Sequence, residues 1–256
     1  GNGNTACNFT NNRFYQTATR TQTTGSQHSA VWISNSSGNN FQVTGNTIGF
    51  ASSTSTGIYT FVGVSSSALI PIFLNVGTTT ASNASSNTIA GIAVSGAVSG
   101  TSFSAAFRGI YISSGLTTCN SNTIGSLSAT GSISYTSSVS SGSDIIGIFN
   151  FGSSNWTASN NNIGGITAAN SNTGASNIYG IRVNTLSVTF TCQNNTIGGS
   201  VSNSISSTTT ATGTIVNGIL NSNPAGTITG NTIRNLTSAG GTGTGTSCLL
   251  YTSDAA

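Results

Sequence analysis

Asn122-Thr123-Ile124-Gly125 is a phrase this 256-residue chain repeats along its whole length. It returns as Asn46-Thr47-Ile48-Gly49, Asn87-Thr88-Ile89, Asn161-Asn162-Ile163-Gly164, Asn195-Thr196-Ile197-Gly198 and Asn231-Thr232-Ile233, with Asn12-Arg13-Phe14 as a degenerate first copy. The steps from Asn12 to Asn231 are 34, 41, 35, 39, 34 and 36 residues. A sustained period of that length marks a repeat architecture. A second phrase alternates with the first: Gly57-Ile58-Tyr59, Gly109-Ile110-Tyr111, Gly147-Ile148-Phe149, Gly180-Ile181-Arg182 and Gly218-Ile219-Leu220. Ala30-Val31-Trp32 and Cys248-Leu249-Leu250 complete that series at its ends.

Alignment on the repeated Asn exposes the period-2 pattern of a strand. Three residues before it stand Phe9, Val43, Ala84, Cys119, Ala158, Cys192 and Ile228, all apolar. Two before it stand Thr10, Thr44, Ser85, Asn120, Ser159, Gln193 and Thr229, all polar. The second phrase gives an aliphatic column of Val31, Ile58, Ile110, Ile148, Ile181, Ile219 and Leu249. Its outward neighbours are Trp32, Tyr59, Tyr111, Phe149, Arg182, Leu220 and Leu250. Like residues at a fixed phase imply that each repeat stacks on the next, with backbone hydrogen bonds along the stacking axis.

The expected fold is all-β: a single parallel β-helix (β-solenoid) over residues 1–256, with about seven rungs of 34–41 residues. Three strands per rung are expected, with one long variable loop after Asn-x-Ile-Gly, in Ser/Thr/Gly-rich stretches such as 126–144 and 200–214. The structural column Asn12, Asn46, Asn87, Asn122, Asn161, Asn195 and Asn231 is expected at a corner. Asn tolerates left-handed backbone there, and stacked Asn side chains hydrogen-bond up the ladder. The segment 67–76, with its run Ala68-Leu69-Ile70-Pro71-Ile72-Phe73-Leu74, reads as an apolar insertion. It is an extra edge strand, a docking pad or a lid on its own rung.

The Asn-Thr-Ile-Gly and Gly-Ile-Tyr phrases, running from Cys7 to Tyr251, resemble those of right-handed parallel β-helix repeat proteins. The resemblance is particularly to secreted bacterial surface proteins rich in such phrases. That resemblance implies right-handed coiling and a place outside the cell. For activity it leaves adhesins, polysaccharide lyases and hydrolases, phage tailspikes and purely structural pieces all open.

Charge narrows the choice. Only seven residues are charged: Arg13, Arg20, Arg108, Arg182, Arg234, Asp144 and Asp254, with no Lys and no Glu. Scattered arginines supply no nucleic-acid patch. The 35% apolar content and net charge of +3 are unlike a disordered chain. The apolar run 68–74 is far short of the ~20 residues a membrane helix needs. A start at Gly1 rather than Met reads as a processed or excerpted form, and the composition suits a secreted product.

Catalysis is not expected. Glycosidase chemistry needs two carboxylates about 5 to 9.5 Å apart, and Asp144 and Asp254 belong to loops some three rungs apart. No acidic cluster offers a calcium site. The sole histidine, His28, reads as a solvated loop residue far from Asp144. Cys119 and Cys192 share one inward column two rungs apart, too distant for a disulfide or a joint zinc site. No cofactor or metal is expected.

Three surfaces remain. The stripe Trp32, Tyr59, Tyr111 and Phe149 is a candidate ligand or lateral-contact site, for glycan rings or another chain. Thr residues flanking the Asn column form a regular face of the kind ice-binding solenoids present. The end rungs, through Cys7, Phe9, Phe14, Leu249 and Tyr251, show neither polar nor helical cap. Either neighbouring repeats of a longer array cover them, or subunits stack head to tail. The leading expectation is a non-catalytic subunit of an extracellular bacterial fibre, partnered by itself. A glycan-binding adhesin is the second, and an ice binder the third.

Overall fold

The computed structural model describes residues 6–184, 189–223 and 225–239, and the backbone of one further strand, Thr246–Thr252. The chain is a parallel β-solenoid that winds through four sheets in turn. Sheet A holds the strand before each repeated Asn, from Asn8–Thr10 through Thr117–Asn120 to Gly226–Thr229. Sheet B holds the Asn-x-Ile strand, from Arg13–Phe14 through Thr123–Gly125 to Thr232–Ile233. Sheet C runs from Arg20–Thr21 through Ile133–Ser137 to Leu236–Ser238. Sheet D runs from Val31–Asn35 through Ser143–Asn150 to Thr246–Thr252. Each sheet is seven strands deep along its main path, and helix is confined, among the described residues, to the 3-10 turn Ser102–Ser104.

There are four strands per coil, not three. The stretches 126–144 and 200–214, read from sequence as loop, contain the sheet C strands Ile133–Ser137 and Ile205–Ser207. Ile133, Tyr135 and Ser137 point inward while Ser134 and Thr136 are more exposed, so the period of two is present. Small inward residues such as Ser137, Ala168 and Ser207 mask it.

The second correction concerns register. Gly57-Ile58-Tyr59 copies the sheet D phrase but feeds sheet C, where Tyr59 stacks on Ile92 and Ile58 lies outside at 57% exposure. The sheet D strand of that coil is Ile72–Val76, the heart of the supposed insertion. Ile72 pairs with Val31 on one side and Ile110 on the other. At the far end the column shifts by one residue: Leu250, not Leu249, lies opposite Ile219, and Tyr251 lies opposite Leu220.

The A-to-B corner also differs in detail. The left-handed residue is the one before each column Asn: Asn11, Gly45, Ser86, Ser121, Asn160, Asn194 and Gly230, with φ between 55° and 68°. That turn points the column Asn inward, and Asn46, Asn87, Asn122, Asn161 and Asn195 are all buried. Their side chains form a continuous ladder. Each Nδ2 donates to the Oδ1 of the next coil's Asn, at 3.1 Å from Asn12, 3.0 Å from Asn46, Asn87 and Asn122, and 2.8 Å from Asn161 and Asn195. The second amide proton goes to a sheet A carbonyl one coil back, as in Asn161 to Cys119 at 2.9 Å. Each Oδ1 also accepts the backbone N–H of the previous Asn.

Beside this ladder the lumen is filled by apolar side chains. Ile89, Ile124, Ile163 and Ile197 stack in sheet B at zero exposure, each contributing about 1.5–3 kcal/mol by burial. Across from them, the Gly of the Gly-Ile phrase has a steric cause. A Cβ on Gly109, Gly147 or Gly180 would lie 2.5–2.6 Å from the carbonyl oxygen of the next coil's glycine.

Removing one rung of the amide ladder strands several groups at once. Asn161→Ala leaves the Asn122 N–H and amide, the Cys119 carbonyl and the Asn195 Oδ1 short of partners. The expected cost is about 3 kcal/mol or more in a denaturant titration. Asn162→Ala, one residue on and facing outward, should stay within about 0.5 kcal/mol. Equal effects at the two positions would refute a structural role for the ladder.

Candidate functional site

The outward face of sheet D carries a line of rings, but with different members from those expected. In register they are Trp32, Phe73, Tyr111 and Phe149, followed by Arg182 and Leu220. Phe73 replaces Tyr59, which faces the lumen from sheet C. The signal for Phe73 was present: Ile72 precedes Asn87 by 15 residues, as Val31 precedes Asn46. Trp32 stacks on Phe73 at 3.8 Å between centroids, Phe73 meets Tyr111 edge-on at 5.4 Å, and Tyr111 stacks on Phe149 at 5.3 Å.

Most of this stripe is covered. Phe73, Tyr111 and Phe149 are buried in a second, smaller core with Ala68, Ile70, Ala105, Ile146 and Tyr179. Segment 97–106, which carries the 3-10 turn, folds against it. A glycan face built on Tyr59, Tyr111 and Phe149 is therefore not presented to solvent. Three rings of this flank are exposed: Trp32 at 48%, Phe103 at 58% and Phe151 at 39%, with Phe103 and Phe151 6.0 Å apart.

The charges gather under the same segment. Asp144 accepts from Arg182 Nη1 at 2.6 Å, from the Ser102 N–H at 2.7 Å and from Asn177 Nδ2 at 3.0 Å. The Arg182 guanidinium lies over the rings of Tyr179 and Phe149. Arg108 is wholly buried over Tyr111 and donates to the Phe103 carbonyl. Burial lowers its pKa to about 10, so it keeps its charge at neutral pH. This is a packed node that ties the covering segment to the sheet. Asp254 lies outside the described residues.

His28 is not a solvated loop residue. It is half-buried in the short strand Gln27–His28, stacked on Phe61 at 5.9 Å and 6.3 Å from the Tyr59 ring. It sits in the first coil, and Asp144 in the fourth. Cys119 and Cys192 are free and fully buried, and burial pushes both thiols up to about 12, which makes them inert. Among the described residues no group of His, Cys, Asp or Glu is placed to hold a metal, and no helix is long and apolar enough to cross a membrane.

The end coils differ from the interior ones. Phe9 and Phe14 at one end, and Ile228, Ile233 and Leu236 at the other, pack on the core yet stay partly exposed, whereas the interior members of their columns are buried. Cys7 is exposed at the first end. Leu249 and Tyr251 fall in the last sheet D strand, and their side chains lie outside the described residues. The amide ladder ends unlike at its two ends. Among the described residues Asn12 Oδ1 accepts nothing, while the Asn231 amide donates only backward, to the Cys192 carbonyl at 2.9 Å. Outward on sheet B stand Arg13, Thr47, Thr88, Thr123, Asn162, Thr196 and Thr232, a Thr column broken twice.

Comparison of the chain with protein-family models, with curated proteins and with solved structures finds no match to any of them.

The half-buried His28 is expected to give the fold a pH dependence. Burial, aided by the Arg20 charge, lowers the His28 pKa below its ordinary 6.5. Between 6.5 and the lowered value the unfolded chain binds more protons than the folded one, so stability is lost as pH falls through that window. A thermal melt series from pH 8 to 5, an interval of about three units around the ordinary histidine pKa, should show the midpoint falling below 6.5. His28→Gln should flatten that fall, and an unchanged slope would show that His28 is not its source.

Proposed function

We propose that this chain is a non-catalytic structural subunit of an extracellular bacterial fibre or surface assembly, joined head to tail through its end coils. The observation that carries this reading is the polarity of the amide ladder. Every coil hands an Asn N–H and an Nδ2–H to the Oδ1 of the following coil. The last coil ends in donors at Asn231, and the first begins with an acceptor at Asn12. One copy's last coil set on another's first repeats the junction already made six times within the chain. The same docking continues the apolar columns, Ile228 onto Phe9 and Ile233 onto Phe14. Unlike ends joined this way do not close, so they build a filament. Placement outside the cell, and in bacteria, rests on the resemblance of the repeat phrases and on the composition.

Negative-stain microscopy of the full chain should show filaments whose length grows with concentration. Because the junction is made of amides and apolar contacts, about 1 M salt, with a Debye length near 3 Å, should leave them intact. Ile233→Asp, which places a charge on the last coil's stacking face, should give single subunits. Uniform particles of one-chain size at high concentration would overturn the reading.

A second reading, glycan binding, is favoured by the exposed rings of Trp32, Phe103 and Phe151. It would show as retention on immobilised polysaccharide that Trp32→Ala or Phe103→Ala weakens while assembly is unchanged. Retention unaffected by either change would rule out these rings as the glycan contact.

A further inference from the structure

One column, at the corner between sheets B and C, changes character at its two ends. It is formed by the residue after each stacked Phe or Ile of sheet B. Its interior members are Gly49, Ala90, Gly125, Gly164 and Gly198. The coils approach closely there: a Cβ on Gly49, Gly125 or Gly198 would lie 1.7–1.9 Å from the carbonyl oxygen of the next coil's member. The two end members are large. Tyr15 stands in the first coil at 42% exposure, and Arg234, also exposed, in the last. Arg234 keeps an ordinary φ, as Ala90 does, and each leaves the left-handed step to the following residue, Gly91 at 63° and Asn235 at 55°. Since another coil stacks on Ala90, a side chain in this conformation leaves room for one on Arg234.

Sheet C is unequal at its ends in the opposite sense. The first coil's strand there is only Arg20–Thr21, paired with Phe61 and Val62. In that register Ala18 falls opposite Tyr59, but it lies outside the strand, small and exposed. A cavity of about 310 Å³ opens beside it, with Phe14, Tyr15, Ile48, Leu69 and Ile92 in its lining. The column that begins with this gap runs through Tyr59, Ile92, Ile133, Ile166 and Ile205 and ends in Leu236. Leu236 packs on the core yet stays partly exposed. One end of the chain thus has an unfilled apolar space, and the other presents an aliphatic side chain in the same column. An apolar cavity of about 150 Å³ already accepts a benzene ring, so this one has room for an isobutyl group.

We propose that the corner Arg234 to Leu236 of one copy docks over the first-coil cavity of a second copy. The inference rests on the head-to-tail reading and adds to it the contact that fixes the register of the joint. Leu236 enters the space that Ala18 leaves open. The Arg234 guanidinium lies against the exposed Tyr15 ring, as Arg108 lies over Tyr111 and Arg182 over Tyr179 within the chain. Two residues further along sheet C the small hydroxyl of Ser238 comes opposite Arg20, so that cation meets no apolar side chain in its column.

The test is a cross-link that only this register allows. In the full chain, Cys7→Ser and Cys248→Ser are combined with Tyr15→Cys and Arg234→Cys, while Cys119 and Cys192 stay buried. Stacked coils set column neighbours about 4.8 Å apart, within the roughly 4.4–6.8 Å that a disulfide spans between Cα atoms. Mild oxidation should give a reducible ladder of covalent oligomers on a denaturing gel. Tyr15→Cys paired with Thr237→Cys, which is out of register, should give none. Separately, Leu236→Ala should raise the concentration for half-assembly by about tenfold or more, with a thermal melt to verify that the variant folds; the cross-link keeps Leu236 and decides the matter where it does not. Filaments of the native chain without a ladder from the Tyr15–Arg234 pair, or an equal ladder from the shifted pair, would overturn this contact and leave head-to-tail assembly standing. Native assembly by a folded Leu236→Ala chain would do the same. Absence of both filaments and ladder would overturn the contact and the assembly together.

Discussion

A primary amide has two protons to give and one oxygen to receive with, and this fold is built on using all three inside an apolar lumen. Burying such a group without partners costs several kcal/mol. A column of them is tolerable only if every member meets its neighbour in register. The ladder from Asn46 to Asn195 meets that condition through one proton to the next Asn, one to a carbonyl, and an oxygen shared by two donors. A slip of one residue would leave a donor or acceptor stranded in every coil and turn each Ile of sheet B outward. Register in the four sheets is thus set at one corner, and the variable loops are free to differ because none of them sets it.

Stacking at about 4.8 Å also governs where charge is allowed. A charged residue repeated down a column would face its like in each neighbour. Each charged residue within a described strand instead has neutral column neighbours. Arg182 stands between Phe149 and Leu220, Arg108 pairs with Ile146, and Asp144 pairs with Asn177. Compensation runs diagonally, across from Asp144 to Arg182, or through an aromatic face, as for Arg108 on Tyr111. Buried charge is found on sheet D, where segment 97–106 supplies the Ser102 N–H to Asp144 and the Phe103 carbonyl to Arg108. On sheets B and C the charged strand residues, Arg13 and Arg20, are exposed.

The sequence disclosed what repeats and concealed what does not. The Asn and Gly-Ile phrases gave the solenoid and its inward columns because each repeated position is bound by the ladder or by a close backbone approach. Sheet C was hidden, since a strand that needs only Ile or Tyr at its start and accepts Ser or Ala afterwards looks like a polar loop. Ile58 and Tyr59 misled for a related reason: Gly-Ile-Tyr is a local shape, and the chain uses it in sheet C once. Only the distance to the next Asn separates the two uses: 12 to 15 residues in sheet D, against 29 from Ile58. Burial of the aromatic stripe under a loop was an alternative the sequence left open, because it depends on how segment 97–106 crosses a face set by other coils.

The ladder has a direction, and that bears on what its ends can meet. Two first coils brought together would set Asn12 Oδ1 against Asn12 Oδ1, acceptor to acceptor. Two last coils would oppose the Asn231 donors to each other. Both arrangements also reverse strand direction across the joint, so the parallel pairing that runs through every sheet is lost. An unlike pair of ends alone keeps donor facing acceptor, Ile facing Phe, and strand beside parallel strand. A chain of mixed-sign surface charge could override this preference by steering. With net charge of only +3 spread over five arginines and two aspartates, the long-range field is too weak to do so, and in the proposed end-to-end contact the amides would decide the orientation.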